Sequence, residues 1–264
     1  MILTLLIENT LMHETRIGFS TLSLFWKSPE EWVQAALSDG FGAIEILCEG
    51  PQWPRHADSL RIRDGTTGRD LELYLHSPTI DLNPASVNPG IREETLRQIC
   101  EALDMAAASG AKYVTTHPGI VHKEIVRQIC TEYAKQVLGE ASDYARSVGV
   151  TLSIENMPAS KQYLCNNPAE LSDFRSACRC GITIDVGHAI LCKNPYEFLK
   201  LPGISYLHVN DNRGERDQHL CPGEGILDLS MLVGQPRMIL ELDDYRLILK
   251  GRDAVLRALN TSNS

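Results

Sequence analysis

Val150-Thr151-Leu152-Ser153-Ile154-Glu155 is a short run of β-branched and apolar residues that ends on a carboxylate. A run of this kind suits a buried strand, and the ionisable group at its end is costly to bury without a partner. The next apolar run, Gly181-Ile182-Thr183-Ile184-Asp185, has the same form, and residues 168–177 between them read as a helix opened by an Asn-Asn cap. Working outward in both directions, strand-like runs fall at 16–20, 42–47, 72–76, 112–117, 150–155, 181–185, 204–209 and 237–241. Helical stretches separate them: 30–38 after Ser28-Pro29, one within 55–64, 92–108 before Ser109-Gly110, 123–147 before Gly149, 168–177, one opened by Asn194-Pro195, and a short piece within 228–233. Alternating strands and helices predict parallel βα units, and eight repeats favour closure into a single α/β barrel of the (β/α)8 TIM type. The doubly wound open sheet shares the alternation, but no Gly-x-Gly-x-x-Gly follows the first strand.

The bulk numbers agree. A chain of 264 residues, 43% hydrophobic and 22% charged, matches one barrel with a substantial core. No linker or low-complexity tract divides it, so residues 1–264 are expected to form one domain, with 1–14 as an N-terminal extension. The apolar start at 1–7 is far shorter than the roughly 20 residues of a membrane helix and lacks a basic leader, so no membrane association is expected. Eight cysteines without paired spacing read as reduced thiols, which implies a cytoplasmic protein. A net charge of -9 argues against generic nucleic-acid binding, although bound divalent cations would reverse the field locally.

In a parallel barrel the carboxyl ends of the strands face one mouth. There this sequence places His76, His117, Glu155, Asp185, His208 and Glu241, with His188, Asp217 and His219 just beyond strand ends. Imidazoles and carboxylates converging from separate strands suit Zn2+ or another first-row divalent ion, and their number predicts two or three ions. A single strand-end histidine is more often structural than a ligand. For the whole set to be structural, ionisable groups would have to meet at one mouth against desolvation and like-charge repulsion.

At these residues the sequence resembles the xylose isomerase-like barrels (AP endonuclease family 2), and within them the branch of endonuclease IV, which incises DNA at abasic sites. The motifs follow in order: His76-Ser77-Pro78 with Leu82-Asn83, His117-Pro118-Gly119, Ile154-Glu155-Asn156, Ile184-Asp185-Val186-Gly187-His188-Ala189, His208-Val209-Asn210-Asp211, Asp217-Gln218-His219 with Gly223-Glu224-Gly225, and Leu240-Glu241. The resemblance implies up to three Zn2+ ions, with Mn2+ or Mg2+ as alternatives. One would be held by His76, His117 and Glu155, a second by Glu155, Asp185, His208 and Glu241, and the third by His188, Asp217 and His219. It further implies phosphoester hydrolysis, Glu155 and Glu241 as the catalytic carboxylates, and substrate contacts from Trp53, Asn83 and Asn156.

One departure concerns DNA. Endonuclease IV inserts bulky side chains, including a Tyr, at the abasic site, where this chain reads Thr79-Ile80-Asp81. Pro51-Gln52-Trp53-Pro54-Arg55 keeps an aromatic residue, suited either to reading DNA or to covering a small substrate. Other branches of the superfamily are sugar or sugar-phosphate isomerases and epimerases that use one metal at positions matching Glu155, Asp185, His208 and Glu241, with the two Glu residues as acid and base. The expected substrates are therefore abasic-site DNA or a small phosphorylated or sugar molecule. A metal-stabilised binding barrel without catalysis is the third class.

Overall fold

The structure is a computed structural model that describes residues 15–53 and 59–261. The expected extension at 1–14 and the start of the stretch expected to hold the second helix lie outside the described residues. Eight parallel strands, β1 (Arg16–Ser20), β2 (Ala43–Leu47), β3 (Glu72–His76), β4 (Tyr113–Thr116), β5 (Thr151–Glu155), β6 (Gly181–Asp185), β7 (Ile204–Val209) and β8 (Arg237–Leu240), close in chain order, β8 pairing with β1. Around them run α1 (Pro29–Asp39), α2 (Ser59–Thr66), α3 (Pro89–Ser109), α4 (Arg127–Ser147), α5 (Pro168–Cys178), α6 (Val186–Leu191), α7 (Pro195–Leu199) and α8 (Tyr245–Thr261). This is the expected (β/α)8 barrel.

Local chemistry explains the helix ends. Ser28 and Glu31 form a reciprocal capping box at α1, Asn88 and Asn167 cap α3 and α5, and Gly40 and Gly110 end α1 and α3 in the left-handed region. Departures from the sequence reading are local. The stretch expected as a helix within 228–233 is a single 3-10 turn, Leu229–Leu232, and the fourth helix begins with another, Glu124–Val126. The short α6 has no counterpart in the sequence reading; the Asp185 side chain, accepting from His188 N at 2.7 Å, caps its start.

Strand period two sorts the side chains. Ile44, Ile46, Leu73, Leu75, Val114, Leu152, Ile154, Ile182, Ile184, Leu207, Val209, Met238 and Leu240 join the main apolar core with residues of the helices. Their alternates line the barrel interior in levels. At the floor Glu72 meets Arg16 at 3.7 Å, Arg237 at 3.4 Å and Lys112. In the middle Ala43, Tyr74, Tyr206 and Ile239 form a small separate core, with Tyr206 Oη 2.5 Å and Thr183 Oγ1 2.6 Å from Thr115 Oγ1. Two residues further along, the same strand faces bring His76, His117, Glu155, Asp185, His208 and Glu241 to the mouth.

The interior leaves no room on β1. A Cβ on Gly18 would run into the backbone oxygen of Ala43. Gly18→Ala is therefore expected to lower the melting temperature by roughly 2–12 °C, from about 1–3 kcal/mol of overpacking at ~2–4 °C per kcal/mol. Thermal unfolding followed by circular dichroism measures this, and an unchanged Tm would show that β1 and β2 separate freely.

Candidate metal centre

Among the described residues the mouth holds three groups of donors, each mutually within 4.8 Å: His76, His117 and Glu155; Glu155, Asp185, His208 and Glu241; His188, Asp217 and His219. Glu155 belongs to two of them. Its Oε2 lies 3.4 Å from His76 Nε2, 3.6 Å from His117 Nε2 and 3.5 Å from His208 Nδ1. His208 Nδ1 is also 3.3 Å from Glu241 Oε2, and Asp217 Oδ2 is 3.2 Å from Nε2 of both His188 and His219.

Three observations test whether these residues suit a divalent cation. First, a tetrahedron with metal–ligand arms of ~2.0–2.1 Å has edges of roughly 3.3–3.4 Å, close to these donor separations. Second, hydrogen bonds to carbonyls orient the rings. His76 Nδ1 faces Ser77 O at 2.9 Å, His188 Nδ1 faces Asn156 O at 2.8 Å, and His219 Nδ1 faces Glu241 O at 2.9 Å. A carbonyl only accepts, so each Nδ1 carries a proton and each Nε2 is turned into its cluster. Third, His208 is reversed: its Nε2 lies 2.7 Å from Glu45 Oε2, while its buried Nδ1 has no hydrogen-bond partner among the described residues. An orphaned ring nitrogen flanked by carboxylates fits a cation.

Electrostatics point the same way. Burial opposes charge on His76, but hydrogen bonding and charge from Glu155 override it and hold the ring up to about 9. In His188 burial is overridden by Asp185 and Asp217, and in His219 by Asp217 and Glu241, each ring rising to about 10. Burial, reinforced by Glu155, Glu241 and Asp217 against the opposing charge of His188, pushes Asp185 up to about 6. Protons and divalent cations compete for these lone pairs, and the surrounding carboxylates favour either positive charge.

Other residues stand apart from the sequence reading. Asn83 spends its amide on backbone, donating to Ile120 O at 2.8 Å and accepting from Ile120 N at 2.9 Å, so it ties the loops after β3 and β4 together. Asn156 is fully buried and brackets Asp185, donating to its O at 3.0 Å and accepting from its N at 2.8 Å. Both amides face the protein, where substrate contact was expected. Trp53 is half-buried behind the turn Gly50–Gln52, and residues 54–58 that follow lie outside the described residues. Sequence reasoning missed Glu45, 1% exposed in the middle of β2. Its signal was a carboxylate inside an apolar strand, one period below the mouth.

Fold and site together define a (β/α)8 enzyme-type barrel with three adjoining groups of possible metal ligands, among the described residues, at its carboxyl-terminal mouth. The sequence profile described as xylose isomerase-like TIM barrel matches residues 33–235, and the chain belongs to that family. It is 34% identical to the protein MJ1614 of Methanocaldococcus jannaschii over 81% of this chain and 85% of that one. It is 24% identical to the probable endonuclease 4 of Campylobacter concisus over 90% and 89%. Among solved structures it superposes on a D-tagatose 3-epimerase-like protein with a TM-score of 0.84 and 27% identity, covering 94% of this chain and 98% of that one. Among the described residues no helix is long and apolar enough to cross a membrane.

Proposed function

We propose that this chain is a divalent-metal-dependent phosphoester hydrolase, loaded with up to three Zn2+ ions and acting at abasic sites in DNA. The observation that carries the proposal is the complete set of three adjoining donor groups, two of them joined by Glu155. Proton transfer at a sugar needs only the group of Glu155, Asp185, His208 and Glu241, and leaves His76, His117, His188, Asp217 and His219 without a task. When bound, the cations supply Lewis-acid charge to the phosphoryl group. Glu155 belongs to the first two groups and sets their spacing, Glu241, 3.3 Å from His208 Nδ1, completes the second, and Asp217 draws the His188 and His219 rings together. Eight free cysteines suit a reducing cytoplasm, where we place the enzyme.

A second reading, a sugar or sugar-phosphate epimerase with Glu155 and Glu241 as the proton-transfer pair, is favoured by the similarity to the epimerase-like structure and by Thr79-Ile80-Asp81 in place of an aromatic wedge. Elemental analysis of protein saturated with Zn2+, followed by incision of a duplex carrying one abasic site, separates the two. More than one ion per chain and strand cleavage confined to the abasic site are expected. A single ion per chain, or solvent-proton exchange into a ketose without cleavage, would overturn the hydrolase in favour of the epimerase. Mn2+ or Mg2+ in place of Zn2+ is read out by the same assay.

A further inference from the structure

Residues 210–228 join β7 to the 3-10 turn Leu229–Leu232 without a helix, yet they supply two of the three donors of the last group, Asp217 and His219. A long irregular loop must find partners for its backbone N–H groups and gives up conformational entropy when ordered. Here a single side chain takes four of them. Asp211 is fully buried, and its two oxygens face four backbone N–H groups: Oδ1 accepts from Asn212 N at 2.8 Å and Leu227 N at 2.9 Å, Oδ2 from Gly223 N and Gly225 N at 2.9 Å each. A two-way backbone bridge at 2.8 and 2.9 Å joins Asp211 to Leu220, one residue beyond His219.

The neighbouring residue fastens this loop to the other donor. Asn212 Nδ2 donates to Gly187 O at 2.8 Å in α6, the helix that carries His188, and its Oδ1 accepts from Gly214 N at 2.9 Å. The wrapping chain has to be glycine at the contact, because a Cβ on Gly225 would strike Asp211 Oδ1 and Asn212 O. Gly223, at φ +90, lies in the region that side chains avoid.

We propose that Asp211 is the positioning residue for the third cation: its buried carboxylate gathers residues 212–227 into the one conformation in which Asp217 and His219 meet His188. The third group is then a separable unit, lost when the loop is released while the other two groups stay built on strands. The proposal rests on the metal-dependent reading above.

Asp211→Asn keeps the shape but turns an amide donor toward backbone N–H groups. The full-length chain, stripped by chelator and reloaded with Zn2+, is compared as wild type, D211N and His188→Ala. Both variants are expected to bind one Zn2+ fewer per chain. Only D211N is expected to lose hydrogen-exchange protection, by at least about tenfold, at Gly223, Gly225 and Leu227. D211N with a full Zn2+ complement, or with unchanged protection at those amides, would overturn the proposal. If D211N does not fold, Gly225→Ala releases the same contact and is judged by the same two readouts. A wild type that binds fewer than three ions counts against the trinuclear reading, whereas the exchange comparison still decides whether Asp211 holds the loop.

Discussion

Glu155→Gln is expected to reduce turnover by at least about a thousandfold, since several kcal/mol of charge stabilisation are at stake at 1.36 kcal/mol per factor of ten. Glu155 is 1% exposed, and its Oε2 lies 3.4–3.6 Å from His76, His117 and His208 while Oε1 lies 3.4 Å from His188 Nδ1. Glutamine preserves the volume, but it removes the negative charge common to two donor groups and offers an N–H where lone pairs converge. Its carboxyl is held well below the usual range despite burial, because His208, His117 and His76 surround it. Neutralising it leaves Glu45, Asp185 and Glu241 to face those rings, so the barrel is expected to remain folded with a Tm within a few degrees of wild type. Steady-state kinetics beside a melting curve checks the pair of outcomes. Retained turnover, or a loss of activity explained by unfolding, would remove Glu155 from the chemistry.

The second large effect is expected at Glu45, a residue outside the three donor groups. Its Oε2 accepts from His208 Nε2 at 2.7 Å, and this bond turns Nδ1 toward Glu155 and Glu241. Partners of this kind are typically worth about 10–100-fold in metal affinity. Glu45→Leu is expected to weaken Zn2+ binding by that factor, with Glu45→Gln much milder because the amide oxygen still accepts from Nε2–H. Competition against a chromogenic chelator reads the affinities. Equal affinity in wild type and Glu45→Leu would show that packing alone orients His208.

Much of this was legible in the chain. The strand runs at 16–20, 72–76, 181–185 and 204–209 coincide with β1, β3, β6 and β7, since a two-residue period of apolar side chains and flanking turn residues is a local signal. The donors at strand ends were visible for the same reason: an ionisable residue closing an apolar run stands out. His117 and Glu241 in fact project from the first residue after β4 and β8, one position beyond the ladder. Asn83 and Asn156 were expected to contact substrate, and the structure shows their amides engaged by backbone, a distinction the chain does not encode locally because an amide can face substrate or backbone with the same sequence. Their hydrogen bonds to Ile120 and Asp185 reach across 37 and 29 residues, a separation that no motif encodes.

By itself the sequence determined the order of strands and helices, the barrel class and which ionisable residues lie at the mouth, because periodicity, caps and strand ends depend on neighbours along the chain. The tertiary structure decided which donors share a focus, that Glu155 stands between two groups, that Glu45 reaches from β2 to His208 on β7, and that Asp211 gathers a loop carrying two further donors. Those relations are distances across the barrel. They come into being only when β8 pairs with β1 and the register sets the level at which each inward side chain sits.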